Sequence, residues 1–260
     1  MLCLLFCICL MASTAGAIVG FGGGVVIKPV MDLLGLLPVE TASFLCGCTV
    51  LAMSVSSLAR THGNGVELNV RISTPLAIGA IIGGLAGKQI FELIRRHFGN
   101  PSSVEIVQSF ILLIINILVF FYILCKNQIH THRYNKISIS LFSGILLGTI
   151  SAFLGIGGGP YNIAVLSFLF SMDSKTAAKN SIYIIMFSQA SSILLAVLSQ
   201  TVPPFHWSMA VVMSAGGVGG ALVGAALSRQ MDNAKVDILL RGMLIIIIGI
   251  NIYNVLKFVI

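Results

Sequence analysis

Residues 137–170 contain no Asp, Glu, Lys or Arg, and inside that uncharged run stands Gly155-Ile156-Gly157-Gly158-Gly159. The combination leaves few folds open. An apolar stretch of this length reads as membrane-embedded, because about 20 residues of helix suffice to cross a bilayer. Consecutive glycines break a helix, since glycine tolerates positive φ and leaves its backbone exposed. Broken backbone survives in hydrocarbon only where protein buries it or where it lines a wet cavity. The same feature occurs earlier as Gly20-Phe21-Gly22-Gly23-Gly24, at an offset of 135 residues (Gly22 to Gly157). Gly-interrupted apolar segments at matching places in two halves point to the binding site of a transporter.

The rest of the inventory agrees with a membrane setting. Of 260 residues, 57% are hydrophobic and only 9% are charged, against about 25% charged in soluble domains. The length leaves room for spans and short loops and no aqueous domain of useful size, so nucleotide and nucleic-acid partners are excluded as expectations. The net charge of +7 comes from Lys and Arg lying mostly between apolar segments, where they set topology. The six cysteines lie in or at the ends of apolar stretches and read as small hydrophobes. No metal-ligand spacing and no cofactor motif is present. The start resembles a signal peptide but lacks a basic region. Its residues 18–24 match 153–159, so it reads as a mature membrane segment.

Read in order, the segments are 1–35 (broken at the first glycines), 41–59, 72–94, 104–125, 137–170 (broken at the second), one starting at Asp173-Ser174-Lys175-Thr176 and ending near Leu198, 207–228 and 238–256. Gly22, Thr41 and Asn116 match Gly157, Thr176 and Asn251 at offset 135. Gly79, Gly83 and Gly87 match Gly216, Gly220 and Gly224 at offset 137. The expected fold is therefore an all-α polytopic membrane protein built from two repeats of about four helical segments. Residues 1–126 form the first repeat, 127–136 a polar linker and 137–260 the second. Each four-residue glycine stripe predicts close approach of another helix.

Charge counts favour inverted repeats. If each broken segment enters and returns on one side, that topology gathers Arg60, Arg71, Lys126, Arg133, Lys136, Lys175, Lys179, Arg229, Lys235 and Arg241 on one face. It leaves Lys88, Arg95, Arg96 and Lys257 on the other. Ten against four is a positive-inside bias and puts both termini outside the cell membrane; parallel repeats divide six against eight and give none.

The candidate binding residues follow from the breaks. After each one the chain re-enters a helix, at Val25 and at Tyr161, whose free N–H groups and positive dipole end favour an anion. The expected substrate-binding set is Gly22, Gly23, Gly24, Lys28, Gly157, Gly158, Gly159 and Asn162. Lys28 either contributes charge to the anion, snorkels to the interface or pairs with Asp32 one turn on. Ser54 and Ser57, with Gln189 and Ser192 opposite them in the repeat, either line a pathway or make helix–helix hydrogen bonds. His62 and His206 each precede a glycine-striped helix and could carry protons; interfacial loop histidines are the plainer reading. Expected partners are the bilayer, a small anion and a coupling ion, with the proton among the candidates. An intramembrane enzyme would need a nucleophile–base or metal cluster that the sequence lacks. The remaining alternative is a membrane scaffold or partner subunit without transport.

With these residues in view, the chain resembles the sulfite exporter TauE/SafE family, also called the toluenesulfonate uptake permease family. The resemblance rests on both glycine runs with Pro29 and Pro160, on Asn64-Gly65-Val66-Glu67 and on the two glycine stripes, and it covers nearly the whole chain. It implies a multi-pass permease for sulfite, organosulfonates or related small sulfur or carboxylate anions, working by alternating access. Two positions depart from the family's pattern. Ala164 stands where the second copy often has proline, and Lys28 where an apolar or small residue is expected.

Overall fold

Left-handed glycines end the two long apolar helices where the sequence places its breaks. The computed structural model describes residues 1–61, 67–98, 101–126, 128–156 and 158–259. Ten helices lie among them: α1 (Leu2–Val19), α2 (Gly24–Leu34), α3 (Val39–Thr61), α4 (Val70–Phe98), α5 (Pro101–Cys125), α6 (Ile137–Leu154), α7 (Pro160–Phe170), α8 (Ser174–Leu198), α9 (Trp207–Arg229) and α10 (Asn233–Val259). All but α2 and α7 are long and apolar enough to cross a membrane. No strand occurs among the described residues.

Each broken segment is a long helix followed by a short one, with 18 and 11 residues in both halves. A helix of 11 residues is about 16 Å long and cannot span a bilayer alone. The first segment doubles back. Gly20 has φ +92°, and its N–H and that of Phe21 both donate to Gly16 O. Gly22 and Gly23 follow at φ +77° and +73°, and Gly23 comes to lie against Gly16, where no Cβ would fit. The second segment also returns towards its own start. His132 N donates to Phe168 O (2.8 Å) and Tyr134 N to Leu169 O (3.1 Å), so the end of α7 lies beside the chain that leads into α6.

The glycine stripes find their partners in the opposite half. Gly79, Gly83 and Gly87 of α4 lie against the carbonyls of Leu141, Ile145 and Thr149 of α6, while Gly144 and Gly148 of α6 lie against Leu76 and Ala80 of α4. Gly216, Gly220 and Gly224 of α9 meet the carbonyls of Phe6, Leu10 and Thr14 of α1 in the same way. Sequence numbers rise together along both contacts, so α4 runs parallel to α6, and α9 to α1. Helix α3 is parallel to α9: Thr41 Oγ1 reaches Pro204 O just before α9, and Arg229 at its end reaches Arg60 O. Helix α8 runs with α4: Asn180 joins Asn69 and Ser73 at the starts of the two helices, and Lys88 reaches Thr201 near their ends.

Several helices run longer than the sequence reading, α4 at both ends among them, and two of the differences have a local cause. Pro101 opens α5 instead of sitting in the preceding loop, because a first-turn proline loses no intrahelical hydrogen bond. Helix α10 begins at Asn233, inside the charged stretch read as a loop; Asp232 Oδ1 accepts from Lys235 N (2.9 Å), and those charged turns continue the helix beyond its apolar part. Asp173 caps α8 as expected, accepting from Thr176 N at 3.1 Å.

Candidate functional site

The two breaks touch. Ile156 O lies against the Cα of Gly24, closer than any Cβ would allow, and a Cβ on Gly159 would stand 2.8 Å from Val25 Cγ2. Ile185 of α8 packs on both Gly22 and Gly158, and Val50 of α3 on Gly22 and Gly24. Val50 and Ile185 lie near the midpoints of α3 and α8, both long enough to cross a membrane. The starts of α2 and α7 therefore meet deep in the bundle. Helix α7 begins at Pro160, which carries no N–H, and Asn162 N donates to Gly159 O (3.0 Å); Tyr161 is the first N–H at that end. Asn162 is buried, with its amide beside Gly158.

Lys28 is 5% exposed and neither snorkels nor points to water. Its ammonium donates to Leu154 O (2.8 Å) and to Gln108 Oε1 (3.2 Å). Gln108 Nε2 donates in turn to Phe153 O. Leu154 closes α6, whose last carbonyls lack intrahelical donors. A cation from the N-terminal half thus sits on the negative end of the broken helix of the C-terminal half. A charge at mid-bilayer costs about 2.5–3.5 kcal/mol on insertion scales. Hydrogen bonds to a charged group return roughly 1.5–3 kcal/mol each, so this pair covers the cost.

Beside the ammonium is a cavity of about 20 Å³, room for one water. Its polar lining is Lys28, Asp32, Gln108, Ser109, Asn251 and Asn254. Asn254 Nδ2 donates to Pro29 O (3.2 Å), while its Oδ1 is buried with no hydrogen-bond partner among the described residues. Gln108, Asn251 and Asn254 were not singled out as site residues from the sequence. The available signal was polarity: each is an amide in the membrane-spanning part of a helix, and such residues face a bundle interior or a cavity.

The other candidates divide. Gln189 and Ser192 line a second cavity, of about 20 Å³, with Lys88, Ser151, Ser188 and Ser191. Their repeat partners are packed. Ser54 is fully buried and donates to Val50 O (2.7 Å) in its own helix, and Ser57 is 3% exposed. Gly157, His62 and the Asn64-Gly65-Val66 part of the motif lie outside the described residues. His206 precedes α9 without capping it through its side chain.

Two buried short helices thus meet at glycines, with Lys28 bonded across to the end of α6, and comparison with known proteins shows the family. Residues 5–252 match the family described as "Sulfite exporter TauE/SafE". The chain belongs to the sulfite exporter TauE/SafE family. A Bacillus subtilis relative named "Probable membrane transporter protein YunE" is 24% identical over 259 residues, 92% of each chain. A Haemophilus influenzae relative named "Probable membrane transporter protein" is 28% identical over 176 residues, 64% of this chain and 62% of its own length. No solved structure matches. The chain is thus a multi-pass TauE/SafE membrane transporter.

Proposed function

We propose that this TauE/SafE transporter is a secondary carrier of small anions, with sulfite, organosulfonates and related sulfur or carboxylate anions as its substrate class, and that the anion binds where the two broken helices meet. The observation that carries the reading is the contact of the two glycine breaks beside a buried ammonium. Backbone N–H groups at the starts of α2 and α7 can hold anionic oxygens without a fixed cation, and two dipole ends add. In the present arrangement Ile156 O occupies the approach to Gly24, so binding requires the tips to part. Left-handed glycines at Gly22, Gly23 and Gly158 supply hinges on both sides.

The helix directions support inverted repeats. Exchanging the halves carries α1, α3 and α9 onto α6, α8 and α4, which run the opposite way. Such a pair of repeats can alternate access around a fixed site by moving one half against the other.

Uptake of labelled sulfite, thiosulfate, sulfoacetate and short carboxylates into proteoliposomes tests the reading. At least one should accumulate, and Gly23→Val and Gly158→Val should each abolish uptake while the protein still reaches the membrane. Full uptake by the double valine variant would refute the site, and no uptake of any of these anions would refute the substrate class.

A further inference from the structure

In carriers with broken helices, the carbonyl ends of half-helices are where a coupling Na⁺ or H⁺ is held. Here that position is already filled. The ammonium of Lys28 donates to Leu154 O, the last carbonyl of α6, at 2.8 Å, and to Gln108 Oε1 at 3.2 Å. The cavity alongside presents a further oxygen, Asn254 Oδ1, buried and unpartnered among the described residues. A carbonyl and an amide oxygen hold the positive charge, and Asn254 Oδ1 and the Asp32 carboxylate line the cavity beside it; hard cations take such oxygen ligands.

We propose that the α6 carbonyl end, Gln108 and Asn254 form a monovalent-cation site that this chain fills with its own Lys28 ammonium. An unpartnered buried carbonyl oxygen is costly unless a cation is near. The tethered ammonium meets that need for Leu154 O and Gln108 Oε1, whereas a dissolved cation must bind and leave. The chain therefore has no need of sodium at this position. Emptying the site while keeping its oxygens should turn a sodium-indifferent protein into a sodium-binding one.

The test reads thermal stability, so it does not depend on the anion reading. The full chain and Lys28→Ala are purified in detergent and melted in sodium, ammonium or choline chloride at equal ionic strength. The wild type should melt at one temperature in all three salts. Lys28→Ala should melt at least about 5 °C higher in 100 mM sodium or ammonium than in choline, the shift expected of a ligand well above its Kd. Adding Asn254→Leu to Lys28→Ala should remove that response. Equal melting of Lys28→Ala in the three salts overturns the proposal, as does a wild-type response of the same size or a response that survives Asn254→Leu. Recovery of folded Lys28→Ala only from membranes extracted in sodium or ammonium supports it, and recovery in no salt counts against it. In proteoliposomes, uptake by the wild type that requires sodium would overturn this inference alone. Absence of any uptake would instead touch the anion reading.

Discussion

A lysine ammonium and an anion a few ångströms apart attract even when the lysine's hydrogen bonds are spent on the protein, because a low local dielectric barely screens them. At the proposed anion site Lys28 would act in this way: its ammonium donates to Leu154 O and Gln108 and stands beside Gly155 at the end of α6. Replacing it by glutamine keeps a donor and much of the volume but removes the charge. Lys28→Gln should weaken anion affinity roughly tenfold, about 1.4 kcal/mol, with the maximal transport rate less affected. Isothermal titration or the substrate dependence of uptake checks this; unchanged affinity would leave Lys28 a purely structural residue. From the sequence, Lys28 stood out as a charge in an apolar segment. Its partners did not, because Gln108 lies 80 residues away and Leu154 126, and no local pattern announces a contact across the halves. Polar residues in apolar helices were the one usable clue, and Asn251 had been noted only as a repeat match to Asn116.

Among the elements, the glycine stripes were legible and their partners were not. Four-residue spacing declares a flat helix face, but nothing in 72–94 names α6 as the helix that lies on it. The geometry now separates glycines that must stay from those that need not. At Gly83 and Gly220 a Cβ would run into the Ile145 and Leu10 carbonyls, whereas Gly84, on the same helix, has open space. Backbone cannot yield as a side chain can, and overpacking of this kind costs typically 1–3 kcal/mol. Gly83→Leu and Gly220→Leu should therefore sharply lower the yield of folded protein in membranes, and Gly84→Ala should leave it unchanged. Size-exclusion profiles of fluorescent fusions measure this directly, and normal profiles for both leucine variants would contradict the packing. The start of α10 was missed for a different reason: its first turns are charged, and charged turns that continue a spanning helix have a loop's composition.

On the scale of the whole molecule, the two ends of the bundle differ. Toward the end where α3 begins and α8 finishes lie both cavities, one at Lys28 and one at Gln189. The other end is tied together. Lys126 donates to Ser174 Oγ (2.7 Å), Ser174 donates to Asp237, Lys126 stands 3.7 Å from Asp237, and Lys175 reaches Met231 O (2.7 Å). These ties join α5, α8 and α10 among the ten basic residues that the positive-inside rule assigns to the cytoplasm. On the proposed inverted topology this is the cytoplasmic end, and both termini lie on the opposite, outer side. A reporter fused after Ile260 that is active only in the cytoplasm would reverse the orientation. Under the proposed alternating access, the repeat would specify the other state. Gln189, 7% exposed, lines a small cavity, while Ser54, its counterpart at offset 135, is fully buried and lines neither of the two cavities. Inverted halves that exchange conformations must exchange these environments too. In a background with the native cysteines replaced, Gln189→Cys should react with an impermeant thiol reagent from outside and Ser54→Cys should not. Asp237→Asn, which weakens the cytoplasmic ties, should slow labelling at position 189 and open position 54 to reagent from the cytoplasmic side. Substrate should shift both rates in opposite directions. Labelling that stays fixed at both positions, with substrate and with Asp237→Asn, would mean that the two halves do not move against each other.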